Sequence, residues 1–216
     1  CSTKDVVAAL GLEMKDLFSV GERVVVGQYV YTDEQGNVLY RVLRFEPKSF
    51  SQQRWTEAGW EWGLADVRRV VYNLTAVAEA PIDEPVYLCE GEKDADAVAA
   101  LGKVATTLLG GAGKWRDEYA DIFRGRDVIV VADNDDSGRI GADRVRTALA
   151  RGVARSVHIV VPLVGKDVSD HIRAGLGLER LVEEGSGLDE FGPLDWTTYE
   201  VEKTEWLLEP YVPRGG

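Results

Sequence analysis

Short apolar runs alternate with segments of helical periodicity between residues 85 and 184. Such alternation is typical of a parallel β-sheet whose strands are joined by right-handed helical crossovers. It predicts an α/β domain with a Rossmann-like parallel sheet. The predicted strands are Val86–Cys89, Val104–Leu108, Asp127–Ala132 and Val157–Val161, and the predicted helices are Asp94–Leu101, Trp115–Phe123, Arg139–Arg151, Ser169–Ala174 and Leu178–Glu184.

The first 80 residues have a different pattern. β-Branched and aromatic runs at Val24–Thr32 and Val38–Glu46 flank a turn-rich loop and predict an antiparallel hairpin. A short helix that ends at Gly11 precedes the hairpin, and a tryptophan-rich segment follows it. We therefore predict a small basic α+β subdomain at 1–80, the α/β domain at 81–185 and a linker or tail at 186–216. The proline-bounded segment 81–85 separates the first two.

Carboxylates follow three of the predicted parallel strands at the point where each strand ends. Glu90 follows the first strand, Asp133 and Asp135 follow the third, and Asp167 comes after the fourth. The carboxyl ends of parallel strands meet at one edge of a sheet, where such folds bind ligands. Crowded carboxylates repel one another unless a cation lies among them, and hard oxygen ligands suit Mg²⁺ or Mn²⁺. The pattern predicts metal-assisted chemistry on phosphate.

The two aspartates after the third strand are separated by two residues. In extended geometry Asp133 and Asp135 face the same side, so they can bind one ion or bridge two. Asp136 faces the other way and is predicted to cap the next helix together with Ser137. Gly138 lets the backbone turn tightly into that helix.

Several neighbouring residues have two readings. Glu90, followed by a glycine, suits a general base or a metal ligand, but it could instead cap a helix. Asp94 could point to the same sheet edge or interact with the helix dipole. Lys166 could contact a triphosphate or neutralise the acid cluster. Asp170 is a further acidic candidate, whereas the adjacent His171 is expected to be structural.

The glycine-rich run after the second strand, residues 110–114, invites a nucleotide-loop reading. It fails as a Walker A motif because Leu108 stands in place of the first glycine and Trp115 in place of Ser or Thr. Its backbone amides could still face a substrate near the acid edge, or the run could be a flexible connector.

Four basic residues follow Tyr40 in the predicted hairpin region, with Glu46 as the one opposing acid before Trp55. They could hold the phosphate groups of a ligand. Strand parity puts Arg41 and Arg44 on opposite faces, so the face that meets substrate stays undecided. The tryptophans could form a stacking platform, although packing between modules is the commoner use. The basic residues are Arg41, Arg44, Lys48 and Arg54.

Composition limits the partners and the compartment. The formal net charge of -12 counts against a high-affinity nucleic-acid binder and predicts that any nucleic acid is bound weakly. No apolar run approaches the length of a membrane span, so no membrane association is expected. Two cysteines cannot form a disulfide framework, which favours a reducing cytoplasm. Cys89 is predicted to be a small buried hydrophobe.

Three of these segments, taken in order, resemble the Toprim domain. They are Glu-Gly-x-x-Asp-Ala at 90–95, Asp-x-Asp-x-x-Gly at 133–138 and Lys-Asp-x-x-Asp at 166–170. DnaG-type primases, type IA and type II topoisomerases and some nucleases share that domain. Residues 29–62 and 205–215 resemble the primase-helicases of phages and mobile elements, in which a zinc ribbon, a primase core and a RecA-like helicase follow one another.

The resemblance implies a nucleotidyltransferase, the core of a DNA primase that joins ribonucleoside triphosphates on single-stranded DNA. It implies that Glu90 assists the attacking 3′-hydroxyl, and that Glu90, Asp133, Asp135 and Asp167 hold Mg²⁺ or Mn²⁺. In such a site Lys48 and Arg54, with Arg41 and Arg44 as back-ups, could hold template phosphates or the incoming triphosphate. Cys1 would fall near the end of a zinc ribbon and could be a stray zinc ligand, or it could be an ordinary residue. It also implies a zinc-ribbon module and a replicative helicase domain as partners, in a bacterial cytoplasm or in the host cytoplasm of a phage. Two alternatives remain open. One is a Toprim nuclease or topoisomerase, although no nucleophilic tyrosine is marked; the other is a non-catalytic nucleic-acid-binding replication module.

Overall fold

Two β-sheets form the framework of the computed structural model, which describes residues 3–11, 23–111 and 113–184. The first is antiparallel, with strand order β1-β2-β3-β4, and the second has strand order β6-β5-β7-β8-β9. The strands are β1 Val24–Thr32, β2 Val38–Glu46, β3 Ser49–Thr56, β4 Gly59–Trp62, β5 Val86–Cys89, β6 Val104–Thr107, β7 Asp127–Val131, β8 Ser156–Val161 and β9 Val182–Glu183. The helices are α1 Thr3–Ala9, α2 Leu74–Glu79, α3 Glu92–Ala99, α4 Ala120–Phe123, α5 Asp136–Leu149 and α6 Val168–Arg173.

The predicted antiparallel hairpin is confirmed at both of its strands, β1 and β2. Its turn is held by Asp33, whose side chain accepts hydrogen bonds from the backbone N–H groups of Gln35 and Asn37. These hydrogen bonds join residues only a few positions apart, so the turn can be predicted from the sequence alone. β3 and β4 extend the sheet on the far side of β2.

The predicted parallel sheet is confirmed in β5, β6, β7 and β8. The helix predicted at Trp115–Phe123 is shorter, a 3₁₀ turn at Asp117–Tyr119 that leads into α4. The helix predicted at Leu178–Glu184 is wrong. That segment is a 3₁₀ turn at Leu178–Arg180 followed by β9, which pairs antiparallel with β8. Pairing covers the otherwise open edge of β8, and this long-range gain outweighs the local helical pattern.

One hydrophobic core runs through both sheets. Tyr31 and Tyr40 stack with ring centroids 4.5 Å apart, and both are fully buried next to Tyr72. The same core continues into Leu88 and Val98 of the parallel-sheet region. The face of β2 that carries Tyr40 therefore packs against the second sheet.

The segment 81–85 connects α2 to β5, as the predicted boundary at residues 80 and 81 requires. It is anchored by Arg126, whose guanidinium donates to the backbone carbonyls of Ala80 and Pro81. Because residues on both sides share one core, the division at this point stays a prediction. The predicted tail at 186–216 and Cys1 lie outside the described residues.

Two smaller expectations can be compared with the fold. Cys89 is completely buried in β5, as predicted, and burial raises the pKa of its thiol. Across the part of the chain that the structure describes, no helix has the length and apolar character needed to cross a membrane.

Candidate active site

The loops after β5, β7 and β8 bring carboxylates together in one cavity of about 420 Å³. One wall belongs to the parallel-sheet region and is rich in charged residues. The opposite wall belongs to the antiparallel sheet and is basic and aromatic. The first wall includes Glu90, Glu92, Lys93, Asp94, Asp133, Lys166 and Asp167, and the second includes Tyr29, Val42, Arg44, Lys48, Phe50 and Gln52.

Glu90 lies immediately after β5 and connects two of the strand ends. Its Oε2 accepts a hydrogen bond of 3.3 Å from the backbone N–H of Asp133. The alternative that Glu90 caps a helix is wrong, because the N-cap of α3 is Gly91. Glu90 is therefore available to the cavity.

Asp133 has an unfavourable electrostatic environment. Burial is the largest cause, and the nearby carboxylates of Glu90 and Asp94 add to it, so the pKa of Asp133 is raised to about 7. Carboxylates whose pKa is raised by burial and by neighbouring acids are concentrated at functional sites.

Gly138 fixes the backbone beneath Asp133. A Cβ atom at position 138 would lie 2.5 Å from the Asp133 carbonyl oxygen and 2.8 Å from its nitrogen. No side chain fits in that space, so the glycine predicted to allow a tight turn is required by direct backbone contact.

Asp135 has a different role from the one its spacing predicts. It is the N-cap of α5, and its Oδ1 accepts hydrogen bonds of 2.9 Å from the Gly138 N–H and the Ser137 hydroxyl. The Gly138 N–H is the main cause that lowers the pKa of Asp135 to about 2. Asp136, the expected cap, is instead the first helical residue.

The geometry after β7 explains the difference. β7 ends at Val131, and the Asp135 N–H donates to the Asp133 carbonyl in a tight turn. The extended period of two therefore does not apply between Asp133 and Asp135. Asp133 lines the cavity, whereas Asp135 is not among the lining residues that the structure describes.

Asp94 and Asp167 approach each other from the first turns of α3 and the start of α6. Asp94 is buried and accepts hydrogen bonds from the Ser169 hydroxyl and backbone N–H, and burial is the main cause that raises its pKa. Asp167 caps α6 by accepting from the Asp170 N–H at 2.8 Å. Asp94 lines the cavity and also lies in the first turn of α3, so the structure agrees with both readings of Asp94.

Lys93 lies between these two aspartates, and the sequence reading missed it. Its Nζ is 2.8 Å from Asp167 Oδ2 and 4.0 Å from Asp94 Oδ1. The only signal in the sequence was a lysine inside an acidic helix start, which is also typical of a solvated surface.

Lys166 neutralises a second pair of acids. Its Nζ is 3.0 Å from Asp135 Oδ2 and 3.8 Å from Asp133 Oδ2. This is one of its two predicted roles, and the contact raises the pKa of Lys166. Contact with a triphosphate stays a prediction.

Two residues of the last acidic segment lie outside the cavity lining. The Asp170 carboxylate bonds to the Arg173 guanidinium at 2.6 Å and accepts from the Lys166 N–H. His171 is fully buried, with its Nδ1 accepting from the Leu163 N–H. His171 is structural, as expected.

The four basic residues of the hairpin region divide between the two faces of the antiparallel sheet. Arg44 and Lys48 line the cavity and face the acids. Arg41 lies on the other face, where it bonds to Gln53 and covers the Trp60 ring at 4.1 Å. Arg54 is on the inner face but is paired with Glu61 of β4, away from the cavity.

The tryptophans are less buried than packing between modules would require. Trp55 and Trp60 contact each other with ring centroids 4.9 Å apart on the outer face of the sheet. Trp55 is 49% exposed and Trp62 is 63% exposed. The packing interpretation is therefore wrong for Trp55 and Trp62.

The glycine-rich turn lies against the acid edge. Gly110 and Gly111 line the cavity, and a Cβ atom at Gly111 would lie 3.2 Å from the Glu90 carbonyl oxygen. Gly111 also has a φ of +98°, which side chains rarely adopt. The turn is thus part of the cavity wall.

The donor chemistry of the cavity fits a hard divalent cation, but the donors are not gathered round one point. Among the residues with described positions, no three His, Cys, Asp or Glu side chains form a group that could hold a metal ion. Glu90 and Asp133 nevertheless offer carboxylate oxygens to the same cavity, where burial and, after it, the nearby Glu90 carboxylate raise the pKa of Asp133. The Lys93 ammonium group contacts Asp94 and Asp167, and the Lys166 ammonium group contacts Asp133 and Asp135.

Comparison with known proteins supports this assignment of the fold. Residues 87–172, which include all five acids of the cavity lining, match the Toprim-like family model. A comparison with curated protein sequences gave no significant match.

Solved primase structures share the architecture. The primase fragment of the bacteriophage T7 primase-helicase is 21% identical, with a TM-score of 0.50 over 68% of this chain and 57% of that one. The E. coli primase catalytic core is 20% identical, with a TM-score of 0.54 over 75% and 53%. A DnaG primase catalytic domain bound to single-stranded DNA is 18% identical, with a TM-score of 0.54 over 83% and 65%.

This chain spans between about half and two thirds of the length of those three structures. The similarity includes the antiparallel sheet as well as the Toprim region, because it covers more of the chain than residues 87–172. The predicted fold class is confirmed: the chain contains a Toprim-like domain, preceded by an antiparallel sheet, and has the fold of DnaG-type primase catalytic cores.

Proposed function

We propose that this chain is the catalytic core of a DNA primase, which joins ribonucleoside triphosphates into RNA on a single-stranded DNA template. The observation that carries the proposal is one cavity with two chemically distinct walls. Carboxylates from the parallel-sheet region face Arg44 and Lys48 across it. Phosphoryl transfer needs both a cation-binding group and positive charge for the phosphates.

The acid wall would hold the divalent cation. Glu90 and Asp133 are the proposed ligands for Mg²⁺ or Mn²⁺, with Asp167 on the same wall. When bound, such a cation neutralises charge that develops on the reacting phosphate and its attacking oxygen. One Glu90 oxygen accepts the Asp133 N–H, which leaves the other to accept the proton of a 3′-hydroxyl.

The basic wall would hold phosphates. Arg44 offers a planar set of donors that suits phosphate oxygens, and Lys48 adds a second positive charge. Tyr29 and Phe50 line the same side and offer ring surface to a nucleobase. Arg41 and Arg54, which already have side-chain partners, are proposed to contribute little.

Binding of the template by this chain is proposed to be weak, and partner domains would supply the remaining affinity. The net charge of -12 opposes strong attraction to phosphate. A zinc-ribbon module, a replicative helicase domain and a cytoplasmic setting remain proposals that rest on the resemblance to primase-helicases. One of the similar structures is the primase fragment of such a protein.

The test is a primer-synthesis assay with labelled ribonucleotides, Mn²⁺ and single-stranded DNA, with and without a preformed RNA primer. We expect template-dependent nucleotide addition, which Glu90→Gln reduces at least about 100-fold because the ligand and proton acceptor is lost. Glu79→Gln is the matched control, since Glu79 is exposed and does not line the cavity.

The same assay separates the alternatives. Cleavage of labelled DNA without nucleotide addition would favour a Toprim nuclease. Binding of DNA with neither addition nor cleavage would favour a non-catalytic replication module.

A further inference from the structure

Four of the five acids in the cavity lining fall into two pairs with different counter-charges, and the fifth, Glu92, accepts a hydrogen bond from Tyr31. Asp94 and Asp167 enclose the Lys93 ammonium group, at the 4.0 and 2.8 Å given above. Glu90 and Asp133 are linked through the Glu90 side chain and the Asp133 backbone, and the nearest described ammonium to Asp133 is Lys166 at 3.8 Å.

The two lysines differ in how firmly they are held. The Lys93 side chain is 37% exposed and begins in the first turn of α3, next to both of its partners. The Lys166 side chain is 63% exposed, and its shorter contact is to Asp135, the cap of α5. Lys166 can therefore leave Asp133 at small cost, because exposed ion pairs contribute little.

Lys93 cannot leave its partners so easily. The Asp94 side chain is 12% exposed and the Asp167 side chain is 18% exposed, so removal of the ammonium group would leave two nearby, largely buried carboxylates uncompensated. Such a loss is strongly destabilising when one partner of a buried pair is removed. A divalent cation that entered this half of the cavity would also be repelled by the ammonium group at close range.

We infer that Lys93 takes the place of a second divalent cation. The cavity then accepts one ion, in the half formed by Glu90 and Asp133, while Lys93 balances the half formed by Asp94 and Asp167. This inference rests on the proposed function, since it concerns the metal of the same site.

The experiment counts Mn²⁺ ions bound by the full chain, by titration calorimetry and by electron paramagnetic resonance of free Mn²⁺. The parent is expected to bind one ion that Asp133→Asn removes. Lys93→Met is expected to bind two ions, and Asp167→Asn in that background is expected to remove the added one. Lys93→Arg keeps the positive charge, so this variant is expected to bind one Mn²⁺ ion, like the parent.

Two lysine variants serve as controls. Lys166→Met should leave the count at one and tighten binding several-fold, because it removes a competitor for Asp133. Lys103→Met removes an exposed lysine outside the cavity lining and should change neither the count nor the affinity. Circular dichroism checks that each variant is folded. If Lys93→Met does not fold, the double variant Lys93→Met with Asp167→Asn removes both charges and is expected to bind one ion.

Each unexpected ion count would contradict either the inference about Lys93 or the proposed function. Two cavity ions in the parent, or a count of one in folded Lys93→Met, would overturn the inference about Lys93 and leave the proposed function standing. Two cavity ions in the double variant Lys93→Met with Asp167→Asn would also overturn the inference about Lys93. No cavity ion in the parent would overturn the metal dependence of the proposed function, and the inference with it.

Discussion

At the residue scale, two aspartates two positions apart have opposite electrostatic environments. The pKa of Asp133 is raised to about 7, mainly by burial, while that of Asp135 is lowered to about 2, mainly by the Gly138 N–H. The sequence predicted that both lie at the sheet edge. It could not predict their difference, because that depends on where β7 ends and on which N–H groups of α5 need an acceptor.

Replacement of Asp133 is expected to stabilise the metal-free protein at alkaline pH. The folded state holds the Asp133 proton more tightly than the unfolded chain does, so ionisation costs folding free energy as the pH rises from about 4 to about 7. Asp133→Asn removes this cost. After allowance for solvent screening we expect a gain of about 1–2 kcal/mol at pH 8 that shrinks toward pH 4, measured by urea unfolding in chelator.

Asp135→Ala is the companion variant and should have the opposite sign. It removes the N-cap of α5, so the unfolding midpoint should fall under the same conditions. If both substitutions changed the free energy of unfolding by the same amount and in the same direction, Asp133 and Asp135 would not have the separate roles of cavity carboxylate and helix cap.

A third residue-scale prediction concerns Gly138. Gly138→Ala should lower stability by about 2 kcal/mol, because the added Cβ meets the Asp133 backbone and forces it to move. It should also weaken Mn²⁺ binding, which calorimetry measures. Gly141→Ala in the same helix is the matched control. Its Cβ would make ordinary contacts of 3.5 Å or more, so stability should be unchanged or slightly raised.

At the scale of elements, the sequence predicted β1, β2, the four parallel strands and the order of the acid-bearing loops, but not β3, β4 or β9. These signals are local, because apolar runs, turn residues and glycine punctuation each act within a few positions. What it could not predict depends on contacts between distant segments. β9 forms because the edge of β8 would otherwise be unpaired. Arg54 does not line the cavity, because its side chain pairs with Glu61, which lies opposite it on β4.

The division of the basic residues between sheet faces gives a prediction for nucleic-acid binding. Lys48→Ala should weaken binding of single-stranded DNA and reduce its salt slope by about 1, because one phosphate contact is lost. Arg41→Ala removes an equal charge from the other face and should have much less effect. Fluorescence anisotropy over a range of salt concentrations measures both, and equal losses would show that general charge rather than the cavity wall holds the DNA.

At the scale of the whole molecule, the continuous core predicts cooperative unfolding. Tyr40 packs beneath both sheets, and its hydroxyl donates to the Val70 carbonyl and accepts from the Val70 N–H. Hydrogen exchange of amides in β2 and β5, read by mass spectrometry, should therefore give the same free energy of opening. A markedly lower value for β2 would show that residues 1–80 unfold as an independent domain.

The stacked tyrosines also have a consequence for how substrate preference can change. Tyr31 and Tyr40 lie between the two sheets, and the Tyr31 hydroxyl donates to Glu92 in the cavity wall at 2.8 Å. A packed aromatic layer therefore connects the antiparallel sheet to the acid wall, and packed interiors resist compression. A substitution that makes a ring in this layer smaller or larger would therefore move the acid wall relative to the basic wall, and so change the width of the cavity. Tolerance for bulkier or slimmer nucleotides could then evolve through residues that no nucleotide touches.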